Sequence, residues 1–174
     1  GVTTQGPLNI CITVFGEVPL GKALLRSGAR PGDDLYVSGT LGDARLALEA
    51  LLGRLQLPAT VLASARQRLE MPTPRLALGQ ALRGVASAAA DISDGLLGDL
   101  GHILQRSGVG ATVQTEVAMH LIAACAHSTG AKGTFDHAIG SQRALQCVLA
   151  GGDDYELVFT APPSQRAAVQ AAAL

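Results

Sequence analysis

Leu8, Ile10, Ile12 and Val14 alternate with Asn9, Cys11, Thr13 and Phe15, and this period of two predicts a half-buried strand. A turn at Pro19-Leu20-Gly21 and a short helical piece through Ala23, Leu24 and Leu25 follow. Pro31-Gly32-Asp33-Asp34 is a second turn, and Leu35–Gly39 a second strand. The period then lengthens: Leu46, Leu48, Leu51 and Leu52 predict a helix capped by Asp43 and stopped by Gly53. A further helix runs from after Pro58 to Glu70, and a third from Arg75 to Val85 beyond the break at Pro72-Thr73-Pro74. Ala88–Ile92 is a short apolar strand, and Leu96, Leu97, Leu100, Ile103 and Leu104 predict a helix ending near Gly108. Next come a strand at Ala111–Gln114, helices at Val117–His127 and Ser141–Leu149, a strand at Tyr155–Thr160 and a last helix from Pro163. Short strands separated by helices, without regular βαβ spacing, predict an α+β fold: a mixed β-sheet with packed helices, in one domain over residues 1–174.

Composition narrows the function classes. Hydrophobic residues make up 48% and charged residues 16%, so a core is easily supplied. Aromatics are only 3%, without Trp, so that core is built from Ala, Leu, Val and Ile. The net charge is −1 and no basic run occurs, which argues against a nucleic-acid partner. The most apolar stretch, Val117–Ala126, contains His120 and falls short of the roughly 20 residues of a membrane span, so no membrane partner is expected. No basic-then-apolar leader is visible. Cys11, Cys125 and Cys147 are odd in number and widely spaced, which predicts buried free thiols in a reducing cytoplasm. Because the chain enters a strand pattern almost directly after Gly1, it is expected to be a fragment of a longer protein.

Two acidic, glycine-flanked turns carry the candidate chemistry. In Asp91-Ile92-Ser93-Asp94-Gly95, at a strand-to-helix junction, Asp91 and Ser93 lie two apart and point to one side. Carboxylate and hydroxyl oxygens suit a hard cation such as magnesium, and helix amides starting near Gly95 would suit a phosphate. The same residues also fit an ordinary helix cap. In Gly151-Gly152-Asp153-Asp154-Tyr155-Glu156-Leu157, paired glycines permit a tight bend, and two adjacent carboxylates call for solvent, a cation or a donor-rich ligand. A solvated turn before an edge strand fits equally. Gly16-Glu17-Val18-Pro19-Leu20-Gly21-Lys22-Ala23 nearly matches the phosphate-binding loop. Ala23 lacks the hydroxyl that motif requires and Pro19 lacks a backbone donor, so the match is rejected. Arg26 is able to clamp a phosphate bidentately, and equally fits a surface charge. His102, His120, His127 and His137 show no metal-ligand spacing and are read as structural. No nucleophile–histidine arrangement is apparent, so no catalytic nucleophile or base is assigned.

Taken in order, these segments resemble one family. Gly6-Pro7-Leu8, Val18-Pro19-x-Gly21-Lys22-Ala23-Leu24-x-Arg26-Ser27-Gly28-Ala29-x-Pro31-Gly32-Asp33, Pro72-Thr73-Pro74-Arg75, Asp91-x-Ser93-Asp94-Gly95-Leu96 and Gly151-Gly152-x-Asp154-Tyr155-Glu156-Leu157 are similar to the thiamine-monophosphate kinases. The likeness covers nearly the whole chain and implies the C-terminal domain of the aminoimidazole ribonucleotide synthetase-like superfamily. It implies transfer of the γ-phosphoryl group of ATP to thiamine monophosphate, giving thiamine diphosphate, with Mg2+ as cofactor. By the family pattern Asp91 and Asp94 would be metal ligands, Arg26 and Ser93 would contact ATP, and Asp153 the thiamine substrate. The full-length enzyme would be a homodimer, and this chain alone would be inactive. One departure stands out: the family's metal-binding and ATP-binding Asp near the start falls on Val2. Two other functions remain: another ATP-using member of the superfamily, such as a selenophosphate or aminoimidazole ribonucleotide synthetase-like enzyme, and a non-catalytic ligand-binding module.

Overall fold

The computed structural model describes residues 6–122 and 140–173. Three strands form one sheet: β1 (Asp34–Val37), β2 (Ala88–Ile92) and β3 (Glu156–Ala161), in the order β1-β3-β2. Both pairings are antiparallel, with Tyr36 opposite Phe159 and Asp91 opposite Leu157. The helices are α1 (Asp43–Leu51), α2 (Ala59–Glu70), α3 (Leu76–Ala81), α4 (Leu96–Ser107), α5 (Thr115–Ala118), α6 (Ser141–Ala150) and α7 (Arg166–Ala172). The α+β expectation holds. The sheet expected to be mixed is antiparallel among the described residues, because β1 and β2, which run parallel to each other, are separated by β3.

Side chains alternate across the central strand, and both faces are covered. On one face Ile92 and Val158 meet Leu41, Leu46, Leu96, Ile103 and Val148, all at most 2% exposed, from or beside α1, α4 and α6. On the other, Ala89, Phe159 and Ala161 pack with Leu82 and Val169, under α3 and α7. Tyr36 stacks on Phe159 there, ring centroids 5.1 Å apart. With so few aromatics, burial of these branched aliphatic side chains at about 25 cal/mol per Å² supplies most of the cohesion.

Several expected elements are absent. Leu8–Phe15 forms no strand, and Leu8, Ile10, Ile12 and Val14 are 76–87% exposed. Alternation reports the capacity to pair, and no described strand lies alongside to accept it. Ala111–Gln114 likewise remains irregular, and Ala23–Leu25 is not helical. The helix expected over Val117–His127 is instead the short α5 and a 3-10 turn at Met119–Leu121, and residues 123–127 lie outside the described residues. Of the cysteines, Cys147 is buried as expected but Cys11 is exposed, a correction that follows from the missing strand. Cys125, His127, His137 and Val2 lie outside the described residues. His102 and His120 are exposed.

Candidate functional site

The two acidic turns are packed backbone against backbone. β2 ends in Asp91-Ile92 and the chain bends through Ser93-Asp94-Gly95 into α4. Across from it, the Asp153 amide donates to the Ser93 carbonyl at 2.9 Å and the Tyr155 amide to the Ile92 carbonyl at 2.9 Å. Glycine makes this approach possible. A Cβ on Gly152 would stand 2.5 Å from the Ser93 carbonyl oxygen, and one on Gly151 2.2 Å from that of Cys147. We expect Gly152→Ala to destabilise the fold by about 1–3 kcal/mol through overpacking, read as a lowered melting temperature. An unchanged melting temperature would mean that the turns are free to separate.

The adjacent carboxylates Asp153 and Asp154 diverge. Asp154 is 1% exposed and turns inward, accepting the amide of Gly42 at 2.8 Å and that of Ala44 at 3.5 Å at the start of α1. Burial pushes its carboxyl up to about 6, against the pull of those two amides. Asp153, held at φ 68, stays half-buried, and its carboxylate makes no hydrogen bond or ion pair among the described residues. Tyr155, at φ 52, is 47% exposed. Backbones of this kind in non-glycine residues cost about 1–3 kcal/mol each, and cluster where a site is built.

A pH dependence follows from Asp154. Below about pH 4 its carboxyl is protonated both folded and unfolded. Between pH 4 and 7 the unfolded chain ionises first, so the folded state binds more protons and its stability falls as pH rises. A rise of about two pH units from the ordinary carboxyl value corresponds to about 3 kcal/mol. The stability of Asp154→Asn relative to the native protein should therefore improve by that order between pH 4 and 7, measured by denaturant titration. A gap independent of pH would show an ordinary carboxyl.

Asp91 occupies the face of β2 shared with Leu157. Its carboxylate is 3.8 Å from the Arg26 guanidinium, and both side chains are about half exposed. Arg26 reaches this point because its loop is tied down: the Ala89 amide donates to the Leu25 carbonyl at 2.9 Å, and the Ser107 hydroxyl accepts from Gly28 and Ala29 and donates to the Arg26 carbonyl. Gly28, at φ 122, lies so close to β2 that a Cβ would meet the Ser87 carbonyl at 2.4 Å. Asp94 makes no side-chain bond among the described residues. Of the expected residues, Asp91 and Arg26 thus pair, and the turns bearing Ser93, Asp94 and Asp153 adjoin.

Three acids do work that sequence reasoning missed. Asp99, 3% exposed in the first turn of α4, accepts the amides of Ser93, Asp94 and Gly95 on one oxygen at 2.9, 3.0 and 3.2 Å. The amides of the bend itself, up to Gly95 just before α4, are therefore taken. Glu156 is fully buried and bound by Arg68, Ser38 and Arg75, the last at 2.6 Å through two nitrogens. Asp154 caps α1, as above. An acid in the first turn of a helix is a readable capping signal for Asp99; the other two depend on distant partners.

Beside Asp91 lies an open pocket of about 620 Å³, lined among others by Pro74, Leu76, Gln80, Arg83, Asp91 and Tyr155. That volume is in the range of small-molecule sites. No cluster of three or more acidic, histidine or cysteine ligands occurs among the described residues. Asp91 and Asp94 nevertheless offer hard oxygen donors not consumed by buried partners. Magnesium is commonly held by one or two carboxylates with phosphate oxygens and water completing the shell, and this donor set fits that use but not a self-contained metal centre.

Comparison with known proteins agrees with this geometry. The family model described as AIR synthase related protein, C-terminal domain, matches residues 30–172. The chain is similar to the thiamine-monophosphate kinases of Salmonella typhimurium and Escherichia coli (strain K12), at 44% and 41% identity over 173 residues, which is 99% of this chain and 50% of each relative. It spans about half the length of these curated relatives. Its fold matches the crystal structure of thiamine-monophosphate kinase from Stenotrophomonas maltophilia K279a with a TM-score of 0.72 and 44% identity, over 88% of this chain and 47% of that one. AaThiL complexed with AMPPCP and TMP matches with a TM-score of 0.57 and 31% identity, over 82% of this chain and 43% of that one. With its described sheet, helices and paired acidic turns inside the matched span, the chain belongs to the AIR synthase related protein family, as its C-terminal domain.

Proposed function

We propose that this chain supplies the C-terminal half of the site of an ATP-dependent kinase that converts thiamine monophosphate to thiamine diphosphate. The observation that carries the proposal is the meeting of the two acidic turns, with Arg26 at the edge of the first. The likeness to thiamine-monophosphate kinases, and to a relative complexed with AMPPCP and TMP, supports ATP and thiamine monophosphate as its ligands. A net charge of −1 without a basic run supports small phosphorylated partners rather than nucleic acid. No described helix is long and apolar enough to cross a membrane, and we place the enzyme in the cytoplasm, where ATP is made available.

In this proposal Asp91 and Asp94 hold Mg2+, Arg26 and Ser93 contact ATP, and Asp153 contacts the thiamine substrate. When bound, the cation neutralises charge on the phosphate oxygens. Arg26 is half exposed beside Asp91, free to turn its guanidinium onto a phosphate bidentately. The Ser93 hydroxyl is a neutral donor at the same bend. Asp153, unpaired among the described residues, suits the cationic thiazolium ring. The acceptor phosphate, with a second pKa of about 6, is already ionised at neutral pH, so no general base is required. The work left for the protein is alignment of two anions and exclusion of water from between them. The pocket beside Asp91 gives room for the organic part of one ligand. The full-length enzyme is proposed to act as a homodimer.

The test is ADP release by the full-length protein containing this chain, with magnesium, ATP and thiamine monophosphate, and identification of the product. Release that requires thiamine monophosphate and yields thiamine diphosphate is expected. An ATP-binding protein that releases no ADP with this acceptor would overturn the substrate assignment.

A further inference from the structure

Asp99 lies outside every motif that suggested the site, yet three amides of the acidic turn converge on its Oδ2, from Ser93, Asp94 and Gly95. We propose that Asp99 is a positioning residue that sets the cation affinity of the Asp91–Asp94 turn. This rests on the reading that Asp91 and Asp94 hold the metal.

A strand that ends in a bend leaves its amides pointing inward, and at the start of a helix such amides ordinarily attract solvent or an anion. Here the anion is built in. Asp99 is 3% exposed, its own amide returns to the Gly95 carbonyl at 3.0 Å, and Gly95 takes φ 120 to close the loop. With its amides drawn to one carboxylate, the bend is tied to the first turn of α4, and the side chains of Asp91 and Asp94 stay exposed. Two consequences follow. The carboxylates are held ready rather than gathered at binding, which avoids an ordering cost when a cation arrives. A phosphorylated ligand cannot use the amides of Ser93, Asp94 and Gly95, so at this bend it would meet the cation and Arg26 instead. A charged acceptor makes these bonds stronger than a neutral one would, so the charge as well as the shape of Asp99 matters.

The experiment uses the full-length protein, with Mn2+ as the probe and free Mn2+ followed by electron paramagnetic resonance. Asp99→Asn and Asp99→Ser keep a short polar acceptor and remove the charge. In whichever variant keeps the native circular dichroism spectrum, Mn2+ affinity is expected to fall about ten-fold, the lower end of effects seen when a group supporting metal ligands is lost. The magnesium concentration for half-maximal turnover should rise by a similar factor, with kcat at saturating magnesium little changed. A folded variant that binds Mn2+ as the native protein does would overturn the proposal and leave Asp99 a helix cap. Failure of both variants to fold would overturn it too, making Asp99 a determinant of the fold. Asp91→Asn separates the two levels: if it leaves Mn2+ binding intact, the metal assignment itself fails, whatever Asp99 does.

Discussion

Replacing Glu156 with Ala is expected to lower the unfolding free energy by about 3–5 kcal/mol, against about 5–15 kcal/mol for the whole stability of a typical domain. Glu156 is fully buried, and three groups from separate parts of the chain meet on it: Ser38 after β1, Arg68 from α2 and Arg75 before α3. Burial pushes its carboxyl up, but bonds from Arg75, Ser38 and Arg68 outweigh that and hold it below the usual range. Without the carboxylate, two partly buried guanidiniums would be left facing each other, and the Ser38 hydroxyl, which also accepts the Leu157 amide at 2.8 Å, would lose its own acceptor. Glu156→Gln keeps the shape and loses the charge, so its loss should be smaller but still above about 1.5 kcal/mol. Denaturant unfolding of both variants measures this. A loss under about 1 kcal/mol for the alanine variant would mean that water enters and solvates the two arginines.

The same group gives a second sign to the pH profile. A carboxyl held below its unfolded value stabilises the fold above that value and loses its contribution as pH falls through the folded one. Glu156 therefore weakens the fold in acid, while Asp154 weakens it as pH rises from 4 to 7. Neighbouring acids of one motif pull in opposite directions because bonds from guanidiniums and a hydroxyl outweigh burial at Glu156, whereas two backbone amides do not outweigh it at Asp154.

Much of the architecture was legible. The helical periods over α2 and α4, with glycine or proline at their ends, and the apolar run of β2 are local signals, and they fall within a residue or two of expectation. The two acidic turns were also legible, because their residues are contiguous. What escaped was everything that needs a partner. Leu8–Phe15 has the alternation of a strand and no described neighbour; Ala111–Gln114 is the same case in miniature. Asp154 reads as one of two adjacent turn carboxylates and Glu156 only as part of the same motif, yet the residues that claim them are 112 positions away at Gly42 and 118 away at Ser38. Even Asp99, only six positions from Ser93, was hidden, since spacing alone does not say that three amides turn towards it.

Asp91→Asn, by contrast, is expected to leave the fold intact and remove function. Its side chain is 58% exposed and pairs with Arg26 at 3.8 Å, and an exposed pair of that kind contributes about 0–1 kcal/mol. Unfolding should therefore change little. In the proposed kinase the same oxygens hold the cation that offsets repulsion between two phosphates, an effect of several kcal/mol on the transition state. At about 1.4 kcal/mol per factor of ten, thiamine-monophosphate-dependent ADP release by the full-length protein should fall by about a thousand-fold. Asn retains one carbonyl oxygen, so added Mn2+, which accepts weaker donors than Mg2+, should recover part of the loss. The pattern that matters is stability kept and turnover lost. Turnover within a few-fold of the native protein would reduce Asp91 to a surface partner of Arg26 and would move the metal to other carboxylates of the full-length enzyme. Arg26→Ala then separates what is left: loss of ATP affinity at unchanged metal affinity marks a phosphate contact, whereas no change in either would leave the pair with no part in binding.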